Sequence, residues 1–303
     1  MLILATVFSP HGPNGEIRFW QANNIANVMR QITDIGILAI GMTLVIMSGG
    51  IDLSMGSLLA VSCTIFAHVF TTNTTGFSAP MALLLAIGAT TLFGALNGFV
   101  ITRLSLQPFI VTLATMIGSR GFAKWLVENQ TIAIGYDDRT KPIVEFLGQK
   151  SFVVPAFLAF ATFGVVLLNT TKFGRYLVAI GGNEHAARLS GINVDWAKLR
   201  VYTLSGFIAG CAGVLYCCET HQGSANAGIS YELDAIAAAV IGGTSLAGGK
   251  GGIFGTFVGA LALGILTNLL GLRNVDENMQ WMLKAAIIVF AVWLQSVGTR
   301  RRA

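Results

Sequence analysis

The feature that most limits what this chain can fold into is its division into long apolar blocks with short polar breaks between them. The blocks run near Ile32–Ser48, Leu53–Phe70, Ala79–Ile101, Pro108–Val127, Phe152–Leu168, Leu199–Cys218, Ile253–Leu272 and Met279–Val297. An α-helix rises about 1.5 Å per residue and the hydrocarbon core of a bilayer is about 30 Å thick, so blocks of this size match lipid. Only 11% of the 303 residues are charged, against about 25% in soluble domains, too few to coat a water-soluble globule of this length. The expected fold is an all-α polytopic membrane bundle, one domain over residues 1–303. A further apolar stretch, Leu233–Gly243, is too short to cross comfortably alone and reads as a broken or re-entrant segment. With an incomplete N-terminal piece the total comes to about nine or ten membrane segments.

The N-terminal "MLILATVFSP" has no basic leader and its apolar run ends near Phe8, so it is not read as a secretory signal. Residues 1–20 are expected to hold either an interfacial segment or part of a truncated first span. Orientation follows from Lys and Arg, which favour the cytoplasmic side. The tail after Val297 carries Arg300, Arg301 and Arg302 and no acid, which places it inside. Counting back puts Thr170–Arg200 inside as well, with Lys172, Arg175, Arg188, Lys198 and Arg200. Glu219–Asp234 then falls outside with acids only, and reads as a solvated acidic loop that meets an external partner. Ser119–Lys150 also falls outside, although Arg120, Lys124, Arg139, Lys141 and Lys150 count against it. The net charge of +5 fits loops facing anionic lipid or the cytoplasm, and no basic run is long enough to suggest nucleic acid. The cysteines, Cys63, Cys211, Cys217 and Cys218, lie in apolar segments without zinc-ligand spacing and read as packing residues; no metal or cofactor is expected.

"VIGGTSLAGGKGGIFG" (Val240–Gly255) invites comparison with a phosphate-binding loop. With Gly249-Lys250 as the glycine-lysine pair, the required first glycine is Thr244, and Gly251 stands where a hydroxyl should hold magnesium. The preceding "AIAAAV" favours helix over strand, and a lipid-length apolar run follows. The loop is therefore not a nucleotide site. Its glycines have another use, since a chain that leaves a helix inside lipid must turn sharply and pack closely without stranding backbone groups. A matching break, "SGGIDLSMGS" (Ser48–Ser57), lies in the first half. Gly49, Gly50 and Asp52 there, and Gly242, Gly243, Gly248 and Gly249 here, are the candidate gating residues. Each break is followed by a helix bearing glycine and asparagine, with Asn97 and Asn268 late in the run. That pairing points to an internally duplicated transporter or to generic helix packing.

"FGRYLVAIGGNEHAARLSGINVD" (Phe173–Asp195) predicts a helix of about two turns, with Asn183 at the N-cap, Glu184 in the first turn and Gly191 at the C′ position. Glu184 and Arg188 form an i,i+4 pair. So short a helix is not stable alone. It either packs on its own protein or serves as a lever that a cytoplasmic partner holds. Asp52 reads as a functional intramembrane acid or as the cap of the helix beginning near Leu53. Asn97, Gln107 and Asn268 would hydrogen-bond hydroxyls in a translocation path or bridge helices. No arrangement is placed for catalysis.

"GGIDLSMGS", "IGGNEHAARLSGINV", "YELDAIAAAVIGGTSLAGGKGG" and "FGTFVGALALGILTNLL" resemble the membrane permease subunits of bacterial ABC sugar importers, specifically the ribose/xylose/arabinose/galactose and autoinducer-2 permease family. The likeness extends from about Ile32 to Val297. It implies the fold of an ABC importer transmembrane domain, a bacterial inner-membrane location and import of a monosaccharide. Implied partners are a separate ABC ATPase subunit, a periplasmic sugar-binding protein and a second permease copy. It also implies that residues 172–198 form the cytoplasmic coupling loop. Asn183, Glu184, Ala186, Ala187, Arg188 and Gly191 would engage the ATPase, with Ala186 and Ala187 as the small face fitting its groove. The other readings are an ABC permease for branched-chain amino acids and an ion-coupled transporter working alone.

Overall fold

A computed structural model describes residues 1–10, 16–71 and 77–300. The chain runs through α1 (Leu2–Phe8), α2 (Ala22–Gln31), α3 (Thr33–Met47), α4 (Met55–Thr71), α5 (Ala79–Arg103) and α6 (Pro108–Leu126). A short strand β1 (Ile132–Ala133) precedes α7 (Lys141–Gly148), α8 (Lys150–Thr170), α9 (Lys172–Gly182), α10 (Glu184–Leu189) and α11 (Val194–Thr220). Strand β2 (Gln222–Gly223), α12 (Tyr231–Ile241), α13 (Ile253–Leu272) and α14 (Glu277–Arg300) complete it.

Helices α3 and α4 form the centre. From Gly36 to Met47 every residue of α3 is buried, as is every residue of α4 from Met55 to Ala67. Neither has a polar stripe, and a helix that is apolar all round belongs in an interior. The surrounding helices grade outward: 72% of the apolar window of α11 is buried, but only 28% in α5 and in α8. Helices α5 and α11 approach closely through glycine, since a Cβ on Gly94 would lie 3.0 Å from the Gly206 Cα. Small residues at such crossings let backbones meet where the hydrophobic effect supplies no drive.

Among the described residues α5, α8, α11 and α13 are each long and apolar enough to cross a membrane. Helices α2 and α3, bent by 43° at Ile32, supply a fifth span if taken together. That is fewer than the nine or ten segments expected: α6 has the length, at 19 residues, but carries Arg120 and Lys124, and other apolar blocks form part-length helices. Helix α4 has 17 residues. Helix α12 has 11, about 16 Å of rise against a core of about 30 Å. At the N-terminus α1 seats Ala5 in a small cluster with Phe19, Val28, Ile265 and Leu269, against α13.

The two segments assigned to one end by counting crossings back from the basic tail do lie together. Strand β1 pairs antiparallel with β2, Ile132 opposite Gly223. Arg120 donates to the carbonyls of Ala225 and Ala227 at 2.7 and 2.6 Å. The 27 residues of α11 separate this end from α10. Arg301 and Arg302 of the basic tail lie outside the described residues.

The expectation of a solvated acidic loop at Glu219–Asp234 is corrected. The Glu219 side chain is only 8% exposed and pairs with Arg30 at 3.8 Å. Glu232 is buried, pressed against Gly56 of α4. Asp234 pairs with Lys284 of α14 at 3.2 Å. The cause is the path after β2: Gly228 packs on the Gly56 carbonyl, so α12 starts within the bundle and carries its acids inward.

Candidate coupling and gating site

Capping residues define α10. The Asn183 side chain accepts the Ala186 amide at 2.9 Å, satisfying one of the free donors at the helix start. At the other end Gly191 adopts φ +81, and the Ile192 amide reaches back to the Ala187 carbonyl at 3.1 Å. Asn193 then caps α11 by accepting the Trp196 amide at 3.0 Å. Charges tie the two helices together: Arg188 bonds Glu184 at 3.2 Å and Asp195 at 2.5 Å, and Lys198 bonds Glu184 at 2.6 Å. Partial burial would raise the Glu184 pKa, but the Lys198 ammonium and the Arg188 guanidinium outweigh it and hold the carboxyl below its ordinary value.

Six residues cannot hold a helix in water, and α10 is stabilised by docking. Ala187 is buried with Ile180, Val194 and Ala197. This corrects the expectation that Ala186 and Ala187 together face outward. Ala187 is the residue that packs on its own protein; the free face presents His185, Ala186 and Leu189, the last 78% exposed. Leu189 was not singled out from sequence, although an apolar residue on a short charged helix is a recognisable signal.

The element before α10 links it to both glycine breaks. Helix α9 ends in Gly181-Gly182, next to the Asn183 cap. A Cβ on Gly181 would collide with the Met47 carbonyl at the first break and with the Gly249 amide at the second. A Cβ on Gly248 would stand 2.9 Å from the Gly181 carbonyl oxygen and 3.0 Å from the Gly49 Cα. The Gly249 amide donates to the Met47 carbonyl at 3.2 Å. Gly49, Gly243, Gly248 and Gly249 all have positive φ, the region that glycine enters without penalty. Gly50 and Gly242 do not; their role is close approach, to the Tyr202 hydroxyl and to the Gly255 backbone respectively. Sequence flagged both breaks, but it did not flag Gly181, the residue that joins them.

Asp52 lies three residues before α4, and its carboxylate bonds the turn that leads into that helix rather than an amide of the helix itself. Oδ1 accepts from the Ser54 amide at 3.0 Å and the Ser54 hydroxyl at 2.5 Å, and Oδ2 accepts from Ser205 of α11 at 2.6 Å. Ser54 in turn accepts from Asn97 of α5 at 3.1 Å, and Asn97 accepts from Thr115 of α6 at 2.5 Å. The carboxylate therefore holds the turn before α4 and links it to α5, α6 and α11 in one buried network.

The three residues suggested for a path are not brought together. Asn97 is held in this network by one donated and one accepted bond. Asn268 exchanges two hydrogen bonds of 3.0 Å with Asn24 of α2. Gln107 is exposed just before Pro108. For the two asparagines the bridging of helices is the geometry observed.

Comparison with known proteins matches this architecture to transport permeases. The chain is 38% identical to the ribose import permease protein of Haemophilus influenzae, over 99% of this chain and 93% of that protein. It is 40% identical to the ribose import permease protein of Escherichia coli K12, over 96% of this chain and 90% of that one. Against the xylose transport system permease protein of Escherichia coli K12 the identity is 33%, over 93% and 87%. No solved structure gives a significant match. With two glycine-broken turns meeting beside a capped short helix, and with residues 24–292 matching the family model described as branched-chain amino acid transport system / permease component, the chain belongs to that family of membrane permeases.

Proposed function

We propose that this chain is the transmembrane permease of an ATP-binding cassette importer for a monosaccharide of the pentose class, set in a bacterial inner membrane. The relatives named for ribose and xylose support the cargo class over amino acids. ATP hydrolysis belongs to a separate ATPase subunit. A binding protein delivers sugar to the end bearing β1 and β2, and two permease copies enclose the path.

The observation that carries this reading is the meeting of Gly181 with both breaks, one residue pair away from the Asn183 cap. The ATPase holds α10 by its free face at His185, Ala186 and Leu189. Movement of α10 passes to α9 through the Ala187 cluster, and from the end of α9 to the Met47 carbonyl and the Gly248-Gly249 turn. Packed glycine backbones transmit such a shift directly because no side chain lies between them to absorb it. The gate is then the pair of breaks, and energy enters only at the docking face.

The test is sugar uptake by vesicles containing the permease alone, or with its ATPase and binding protein. Uphill uptake should require all three. Ala186→Trp and Leu189→Asp should lower it at least tenfold with the permease still present in the membrane. Uphill uptake by the permease alone, or full uptake by both variants, would overturn the assignment.

A further inference from the structure

A cavity of about 580 Å³ opens inside the chain between the start of α3, the head of α12, α13 and α14. That volume lies within the range of small-molecule sites, roughly 300–1,000 Å³. Its wall is more polar than a lipid-embedded bundle needs. Asp234 and Lys284 pair across it at 3.2 Å, each about one-fifth exposed, at 19% and 20%. The pairing uses Oδ2 of Asp234 and leaves Oδ1 and further ammonium protons open. Half-buried Ser230 and Thr267 and exposed Gln31 also line the cavity. Trp281, 52% exposed, completes the lining.

An ion pair about four-fifths buried keeps bonding capacity that bulk water meets only in part, and a ligand that bonds it recovers free energy. A cavity that offers this pair, hydroxyl and amide side chains and an indole suits a ligand that carries many hydroxyls and also an apolar face. We propose that this cavity is a cargo subsite for a neutral, polyhydroxylated molecule of monosaccharide size. The Asp234–Lys284 pair takes adjacent hydroxyls, one donating to the carboxylate and the other accepting from the ammonium. Gln31 and Thr267 bond the far side, and Trp281 covers the C–H face of the ring. A zwitterion fits less well, because the two charges are already closed on each other and would have to separate.

This inference rests on the sugar-import reading, and the experiment separates the two. Uptake of labelled D-ribose, D-xylose and L-leucine is measured in cells whose chromosomal copy carries Trp281→Leu, Trp281→Tyr or Asp234→Asn, beside a deletion. If deletion leaves both pentose uptakes intact, the import reading fails and the subsite falls with it. If pentose uptake requires the gene, Trp281→Leu and Asp234→Asn should each lower its maximal rate at least tenfold. The concentration for half-maximal uptake should stay unchanged, since an outside binding protein sets it, and the amount of permease in the membrane should also hold. Trp281→Tyr, which keeps an aromatic face, should recover most of the rate. Full pentose uptake by both disruptive variants at normal permease levels overturns the subsite alone, as does gene-dependent uptake of L-leucine that these variants abolish while pentose uptake persists.

Discussion

The two glycine breaks are built from the same residue type and held in opposite ways. The first, between α3 and α4, is buried apart from Gly49 and half-buried Ile51, and side chains anchor it: Asp52 alone accepts three hydrogen bonds. The second, between α12 and α13, is largely open, with Gly243, Leu246, Ala247, Lys250 and Gly251 exposed. Its turn is closed mainly by backbone, Ser245 to Lys250 at 2.8 Å and Gly248 to Ser245 at 2.9 Å. It also has four glycines with positive φ, Gly243, Gly248, Gly249 and Gly251, where the first has only Gly49. A segment with few buried contacts and exposed backbone bonds opens at lower free energy than a buried one. In the proposed mechanism the first break would be the fixed pivot and the second the part that moves.

The strongest way to break that distinction is at Asp52. Asp52→Ala removes three bonds and leaves Ser205 and Ser54 unsatisfied in the interior, which costs about 3 kcal/mol or more. The melting temperature of the purified permease should fall clearly, and uptake with it. No change in either would mean that the first break is not anchored by its carboxylate.

Gly181 tests the contact between the breaks, and Gly182 supplies a matched control in the same helix. Gly181→Ala drives a methyl into backbone on both sides, whereas a Cβ at Gly182 meets nothing within 4 Å. Overpacking of this kind costs about 1–3 kcal/mol. Uptake should fall at least tenfold in the first variant and stay near normal in the second. Equal behaviour of the two would remove α9 from the transmission path.

At the second break Gly248→Ala adds both strain and contact, with φ at +86 and the Gly181 carbonyl oxygen 2.9 Å from the new methyl. The left-handed conformation alone costs an alanine about 1–2 kcal/mol. If this segment is the moving part, the loss should appear in uptake rate more than in melting temperature. A melting shift as large as that of Asp52→Ala would erase the contrast between pivot and moving part.

What sequence made legible here is mostly local. Asn183 and Gly191 mark their helix because caps act within a few residues. The shortness of α12 was readable from the length of its apolar run. Direction and partnership were not. A helix of six residues has no period long enough to tell that Ala187 faces home and Leu189 faces out; that is decided by Ile180, Val194 and Ala197. Asn97 and Asn268 declared that they would hydrogen-bond, but their partners lie 43 and 244 residues away. The acids near Glu219 looked solvated because charge usually is, and only the inward path of the chain after β2 shows otherwise. The same path closes Asp234 on Lys284 across 50 residues.

The smallest expected effect separates the docking helix from both breaks. Glu184 is held below its ordinary pKa by Lys198 and Arg188 against the opposing effect of burial. A depressed carboxylate stabilises the fold at pH values above its unfolded pKa, about 4.3, and the contribution is lost as pH falls through the lower folded value. At neutral pH the pairs are fully charged, yet their members are mostly well exposed, with the Glu184 side chain at 42%. Exposed pairs contribute roughly 0.5 kcal/mol. Glu184→Gln should thus speed hydrogen exchange at the α10 amides only about twofold at pH 7, and high salt should shrink the difference. Uptake should change little, because Ala187 and not the charge network seats the helix. A tenfold acceleration would show that ion pairs rather than packing hold α10 in place, and would move the start of the transmission path from the alanine to the carboxylate.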